Sequence, residues 1–464
     1  MLRFFRFNDP YRLLFVLAFL LVVGLSLFTF SQPLTLPELK YLMLGEMLND
    51  GKRMYLEVVD HTPPLYAWLS GWIDVVFGRN VVARHVVALV LIFFAAAYFS
   101  AMLINNKAYK ENTYLPAFIF AILCCCSFDF FQFSPQLVAS LVLLFALNNL
   151  LKEIEFRVQR DETVFNLGLF IGIASLMVFT YWIFLLGAAL ILVIFSRISF
   201  RKIALLFVGF LLPHGMLLLF YWYGDYQYEY VRHFYAANFW LIDFPLIDAQ
   251  SLGLIALVPC CYFLFSQILL NREARFTIYQ SQLIRIMLLW MIVAIIEVFF
   301  TRERTPHSFI TLVPPLAYFI THYLLLIRRK RLAETMLWLF LLGILGVSWF
   351  AKNNRLPQVS YAPMIVVEKH QNKIIGKKVM CLDDDPTIYL HNRVGGFFLN
   401  SQLSQLIIRH PEYYHHVLLM NDVFEKDPPE IIVDKNNLMQ PFFDRIPKWK
   451  KQYVRNAFYY TRLK

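Results

Sequence analysis

The sequence predicts a polytopic α-helical membrane protein of about eleven transmembrane helices, followed by a small C-terminal α/β domain. Composition is the first reason: 59% of residues are hydrophobic, 17% aromatic and only 16% charged, and the mean hydropathy of +0.55 is far above that of a soluble domain. Spacing is the second. Apolar runs of roughly 17 to 25 residues can cross a bilayer, and such runs centre near residues 22, 93, 122, 143, 173, 189, 211, 260, 291, 317 and 342. The third is a change of character after Phe350, where the chain becomes charged and mixed.

Taken in order, the run from Leu13 to Phe30 is long and has no small-residue cleavage site behind it, so a retained first helix is expected. A first loop, residues 31–80, separates it from the run Val81 to Ile104. Within that loop, Pro37 to Leu65 carries Glu38, Glu46, Asp50, Glu57, Asp60 and His61. Tyr41, Leu42, Leu44, Met47 and Leu48 recur there at helical spacing, which predicts a helix lying flat on the membrane with its polar groups outward. The runs near 173 and 189 are separated only by Thr180, Tyr181 and Trp182, and fusing them would leave ten spans. After Phe350, short β-like runs at Met364 to Val367, Lys378 to Leu382 and Glu430 to Val433 alternate with helical stretches near Ser401 to Ile408 and Pro441 to Ile446. These boundaries predict a membrane domain over 1–352 and an extracytoplasmic α/β domain over 353–464.

Orientation follows from Lys and Arg in the short loops. With the N-terminus inside, the inner segments hold Arg3, Arg6 and Arg12, then Lys107 and Lys110, Lys152, Arg157 and Arg160, and Arg197, Arg201 and Lys202. Further on they hold Arg272, Arg275 and Arg285, and Arg328 to Arg331. The opposite loops hold fewer. This places the N-terminus in the cytoplasm and, with an odd number of spans, the acidic loop and the tail on the far side of an inner (plasma) membrane. The net charge of +11 is then inner-face anchoring, and no nucleic-acid partner is implied. Cys124 to Cys126, Cys260 and Cys261 sit inside apolar runs as small packing residues, Cys381 stands alone in the tail, and no zinc or disulfide pattern exists. A secondary transporter is disfavoured, because no Gly-broken helices recur in two matching halves.

Two segments resemble a known family. Glu38, Tyr41, Gly51, Tyr55, Glu57, Asp60, His61, Pro63, Pro64 and Leu65, with Arg84 at the start of the next span, are similar to the first outer loop of the GT-C membrane glycosyltransferases. The protein mannosyltransferase-like and aminoarabinose transferase-like branch is the nearest in pattern. Arg302, Arg304, Thr305, Pro306 and His307, followed by Pro314 and Pro315, look like that family's basic-aromatic loop entering a helix. Val379 to Asn400 and Pro428 to Asp434 are similar to its extracytoplasmic domain.

The resemblance implies transfer of a sugar from a polyprenyl-phosphate donor at the outer face. A loop carboxylate would take the acceptor's proton and cationic groups would hold the departing phosphate. The pattern is also broken: Pro37 stands where the first of two acids is usual, Thr62 replaces a common Lys, and Ser134, Pro135 and Gln136 occupy the region of another acid. Two readings follow: Glu38, Glu57 or Asp60 serves as base, or the chain is an inactive member of that fold in a cell-envelope pathway with envelope-protein partners.

The residues themselves also read two ways. Glu38 is a base or metal-site acid, or a solvated first-turn acid behind Pro37. Asp60 and His61, stiffened by Pro63 and Pro64, are a substrate or divalent-metal contact, or a capped turn. Arg302, Arg304 and His307 clasp phosphate or snorkel to lipid head groups. Arg232 and His233, amid Tyr223, Tyr226, Tyr228 and Tyr230, suit a sugar or lipid phosphate, or belong to an interfacial aromatic belt. Glu297, inside an apolar run, is expected to pair with Arg302 or Arg304. Asp383 to Asp385 read as a turn before Pro386. The acidic loop and the Arg302 loop are expected to line one cavity.

Overall fold

Apolar side chains cannot leave backbone groups unpaired in hydrocarbon, so runs of this hydropathy become helices that satisfy their own hydrogen bonds. The computed structural model describes residues 1–6, 9–24, 33–155, 161–196, 199–241, 245–273, 276–367, 374–383 and 385–463. Arg157, Arg160, Arg197, Arg275 and Asp384 lie outside the described residues. Among those described, seven helices are long and apolar enough to cross a membrane: Val81–Asn105, Pro135–Ile154, Phe179–Ser196, Phe200–Tyr223, Ile278–Phe300, Pro306–Leu326 and Lys330–Lys352. The protein is thus a multi-pass membrane protein. An eighth span arises if Ala249–Ile255 and Leu257–Arg272, bent by 57°, count as one.

The eleven expected centres all fall on helix, but three of them, near 122, 173 and 260, fall on pieces that are short or broken; the first run is helical over Pro10–Gly24, and its residues 25–30 lie outside the described residues. Leu115–Leu123 is a nine-residue helix, and Asp161–Ser175 stops after fifteen. The Phe179–Trp182 turn separates Asp161–Ser175 from Ile183–Ser196, so the runs near 173 and 189 do not fuse.

The chain divides into two compact units. The first comprises Met1–Gln32, Val81–Leu217 and Asp243–Pro363. Its helices Asp161–Ser175 and Phe200–Tyr223 cross backbone to backbone: a Cβ on Gly168 would lie 2.0 Å from the Leu206 carbonyl oxygen, and one on Gly172 2.5 Å from that of Phe210. From the other side, a Cβ on Gly209 would meet the Phe165 oxygen at 2.3 Å. Small residues four apart permit this approach, which lipid alone does not drive. The Ser175 hydroxyl, 2.8 Å from His214 Nε2, adds a polar contact between them, and a buried ion pair at 2.5 Å joins Lys202 to Glu153 of the helix Pro135–Glu155. Gly168→Leu is therefore expected to destabilise the purified protein by about 3 kcal/mol or more. An unchanged thermal midpoint in detergent would show that these helices do not touch.

The second unit gathers Pro33–Asn80, Leu218–Ile242 and Met364–Lys464. Its sheet has five strands among the described residues: β1 Lys378–Cys381, β2 Arg393–Val394, β3 Ile431–Val433, β4 Tyr453–Asn456 and β5 Tyr459–Arg462, in the order β2-β1-β3-β5-β4. The β2, β1 and β3 strands are parallel, with Met380 opposite Ile432, and β5 returns antiparallel with Tyr460 opposite Ile432. Met380, Ile432 and Tyr460 share the core of this unit with Met420, Phe424 and Phe443. Of the expected strands, Lys378 to Leu382 and Glu430 to Val433 form. Met364 to Val367 does not, since only Ile365 bridges, to Thr35, and a single bridge does not make a ladder. The β4–β5 hairpin and the helix Tyr414–Lys426 were not anticipated.

Candidate functional site

The first loop folds into two helices, Leu36–Asn49 and Pro64–Phe77, joined by an irregular segment. Thr35 starts the first helix: its Oγ1 accepts from the Glu38 N–H at 3.4 Å, and Pro37 sits in the first turn, where its missing N–H costs nothing. Thr35-x-x-Glu38 is the spacing of a helix start and agrees with the first-turn position expected for Glu38 behind Pro37. The Tyr41 and Tyr66 rings meet edge-on at 4.9 Å, and the Ser70 hydroxyl donates to the Tyr41 carbonyl at 2.8 Å.

This arrangement corrects the expectation of a flat amphipathic helix with its polar groups outward. Glu38, Leu39, Tyr41, Leu42, Met43, Leu44, Gly45 and Met47 are all buried, so Leu36–Asn49 is enclosed on most sides. Glu46, largely buried, is held by Arg79 and Arg393. The exposed apolar face belongs instead to Pro64–Phe77. That helix also separates the Pro63–Pro64 string from the span that begins at Val81.

Asp60 is the centre of the site. Its carboxylate is fully buried, with Lys40 Nζ 3.4 Å and His61 Nδ1 3.5 Å from Oδ1. Oδ2 accepts from the Thr62 N–H at 3.0 Å and from the Thr62 hydroxyl. Burial alone would raise the Asp60 carboxyl, but the Lys40 ammonium, His61 and the Thr62 bonds outweigh it and hold the group well below the ordinary carboxylate range. A carboxylate held that far down is a poor proton acceptor near neutral pH. Asp60 suits the task of fixing Lys40 and His61. Lys40 was absent from the candidate residues because, read along the sequence, it is one cation on a surface helix.

The Asn400 amide nitrogen lies 3.0 Å from His61 Nδ1, and the Asn238 amide donates to the His61 carbonyl at 3.1 Å. Tyr55, at φ +69°, is buried between Tyr221 and Tyr230; its hydroxyl donates to the Thr62 carbonyl at 2.7 Å, and its own carbonyl accepts from His233 Nδ1 at 2.9 Å. A non-glycine residue in the left-handed region is held there only when its surroundings over-determine it. His233 therefore braces the loop through the Tyr55 backbone, while Arg232 beside it is half-buried. Glu57 Oε1 takes Lys426 at 2.9 Å and Arg53 at 3.6 Å, tying the loop to the tail domain.

Arg84, Arg302, Arg304 and His307 belong to the first unit. Arg84 is buried in the first turns of Val81–Asn105, and Arg302 and Arg304 are half-buried in the connection between two spans. The Arg304 carbonyl accepts from the Leu246 N–H at 3.2 Å. His307 lies parallel to the Phe130 ring at 5.2 Å; its N–H donates to Asp129 Oδ2 at 2.8 Å, and its Nε2 is 3.1 Å from the Ser134 hydroxyl. Asp129 and Ser134 thus hold the start of the Pro306–Leu326 span in place. The expected Glu297–arginine pair is not formed. Glu297 instead accepts from the hydroxyls of Thr180 at 2.6 Å, Thr301 at 2.8 Å and Thr311 at 3.4 Å, donors that meet a buried carboxylate without bringing a second charge into the bilayer.

Among the described residues no group of three or more His, Cys, Asp or Glu side chains is arranged to hold a metal. Asp385 accepts from the Thr387 N–H at 3.1 Å as a turn cap, and Asp383 pairs with Lys435 at 3.3 Å.

No protein-family profile matches the chain, and no curated protein does. Solved structures do. The fold is similar to that of ArnT from Cupriavidus metallidurans, bound to undecaprenyl phosphate, with a TM-score of 0.57, 13% identity and 97% of both chains covered. The apo state of the same protein matches with a TM-score of 0.58. The Archaeoglobus fulgidus oligosaccharyltransferase, tethered with an acceptor peptide, matches with a TM-score of 0.50 and 10% identity over 98% of this chain and 74% of that one.

Proposed function

We propose that this chain, whose fold is that of the GT-C membrane glycosyltransferases, transfers a sugar from a polyprenyl-phosphate donor to an acceptor at the outer face of a plasma membrane. The carrying observation is the cluster of Lys40, Asp60 and His61 beside the Glu38 helix, on a chain that parallels an undecaprenyl-phosphate-bound structure over 97% of its length. Glu38, at the start of its helix and buried, is the acid assigned to accept the acceptor's proton. Asp60 holds Lys40 and His61, and these supply the positive charge and the N–H donor that a departing phosphate requires. Glu57, spent on Lys426 and Arg53, serves the docking of the tail. Arg302 and Arg304 are assigned to the lipid phosphate, Arg84, Arg232 and His307 to shaping the surroundings, and the N-terminus and tail to the inner and outer sides.

The second reading, an inactive component of an envelope assembly or export pathway, is favoured by one observation: the loop carboxylates Glu46, Glu57 and Asp60 are each already engaged by a cationic side chain within 4 Å. The lipid assignment separates the two. Binding of undecaprenyl phosphate to the purified full-length chain, followed by native mass spectrometry, is expected to weaken roughly tenfold in Arg302→Ala, the cost of one charge-assisted phosphate contact. Wild-type protein that shows no binding above that of neutral lipid would remove the donor from the scheme.

A further inference from the structure

The helix Pro64–Phe77 leaves one face bare. Trp72, Val75 and Val76 are 77, 66 and 69% exposed, a contiguous apolar surface that water does not favour. Within the same unit this surface runs into the end of the span-length helix Phe200–Tyr223: the Phe220 ring packs edge-on against Trp68 at 5.3 Å, and Leu219 and Trp222 beyond it are each 63% exposed. A surface continuous with the end of a bilayer-crossing helix meets lipid at the interface, where Trp is at home.

Between the two elements lies a cavity of about 390 Å³. Its apolar walls are Trp68, Trp72, Val75 and Phe220; its polar end is Asn49, Lys52 and Arg53. That end is cationic. Lys52 Nζ is 2.5 Å from Asp427 Oδ2, and Asp427 also takes Lys378 at 2.7 Å. Glu57 takes both Lys426 and Arg53, and the Arg53 side chain, 51% exposed, is the looser partner at 3.6 Å. Four cations thus share two carboxylates. Asp74, bonded to the Asn49 amide at 3.1 Å, is a third acid, and the charged side chains that line the cavity itself are the cations Lys52 and Arg53. Lys52 is held by Asp427 and the Gly396 carbonyl, so Arg53, 3.6 Å from Glu57 and 6.0 Å from the centre of the Tyr226 ring, is the more loosely held of the two and the one able to turn to an anion.

We propose that this cavity binds an anionic glycerophospholipid, its phosphate on Arg53 and the upper acyl chain along Trp72, Val75 and Phe220. A soluble sugar would use the aromatic walls but not the apolar surface that continues past them, and a neutral lipid would use the surface but not the cations. The assignment needs only that the chain sits in a membrane, and it is independent of whether the protein transfers sugar.

The test uses the full-length chain in phosphatidylcholine nanodiscs doped with acyl-brominated phosphatidylglycerol or, in parallel, acyl-brominated phosphatidylcholine, which quench nearby tryptophan. Trp72 is one of nine tryptophans, and its share is the difference between wild type and Trp72→Phe. Half-maximal quenching of that share is expected at a roughly fivefold lower fraction of the anionic lipid than of the neutral one, the enrichment one interfacial cation supplies. Arg53→Gln should bring the two curves together, while Arg53→Lys, keeping the charge, should leave most of the separation and so exclude a folding effect. Coincident curves in wild type would mean a lipid-facing surface without head-group choice and overturn the proposal. So would a separation that survives Arg53→Gln, or a Trp72 that neither lipid quenches.

Discussion

Glu38→Gln is expected to lower sugar transfer by roughly a hundredfold or more while the protein accumulates normally. The substitution keeps size and hydrogen bonding and removes the proton acceptor. The backbone N–H that Thr35 caps is untouched, so the helix start survives. The measurement is transfer from a polyprenyl-phosphate donor by purified variants, alongside envelope glycan in cells lacking the wild-type chain. Wild-type glycan in Glu38→Gln and Glu57→Gln alike, against a clear defect in the deletion strain, would leave the inactive-component reading standing.

Asp60→Asn should act on stability first. It removes the buried carboxylate that Lys40 Nζ meets at 3.4 Å, and breaking a buried pair from one side costs about 3 to 5 kcal/mol. Lys40→Met together with Asp60→Asn should cost less than the sum of the two single substitutions, because the contact they share is lost only once. Thermal unfolding in detergent reads both. Equal midpoints for Asp60→Asn and wild type would show that Asp60 does not carry the pair. The sign with pH follows from the depressed carboxyl: its contribution is fully present above the unfolded value of about 3.9 and is lost as pH falls below it toward the folded value. The Asp60→Asn defect should therefore be constant near neutral pH and shrink only in strong acid.

The candidate site was legible in the sequence to the extent that its residues lie close along the chain. Asp60, His61, Pro63 and Pro64 announce a stiff polar turn, and Glu38 stands in the first turn of a predicted helix. Lys40 and Asn400 were not legible. Lys40 becomes more than a surface cation only when Asp60 arrives 3.4 Å away, and Asn400 meets His61 from 339 residues downstream. His233 reads in the sequence as a sugar or lipid-phosphate contact or as part of an interfacial aromatic belt; its contact with the Tyr55 carbonyl at 2.9 Å, 178 residues away, is one that no local pattern carries.

By itself the sequence determined that the chain is a multi-pass membrane protein, where its apolar helices centre, and that short strands alternate with helices after Phe350. Hydropathy, proline positions and two-residue alternation act over a few residues, and the chain carries them wherever it goes. Only the tertiary structure decided which apolar runs reach span length, because the breaks at Cys124, Ser175 and Ala256 are set by packing. It also decided that the Leu36–Asn49 helix is enclosed, and that Lys52 finds Asp427 across 375 residues. Enclosure and charge pairing depend on partners distant in sequence, and desolvation makes a buried carboxylate's role depend on the cation that meets it.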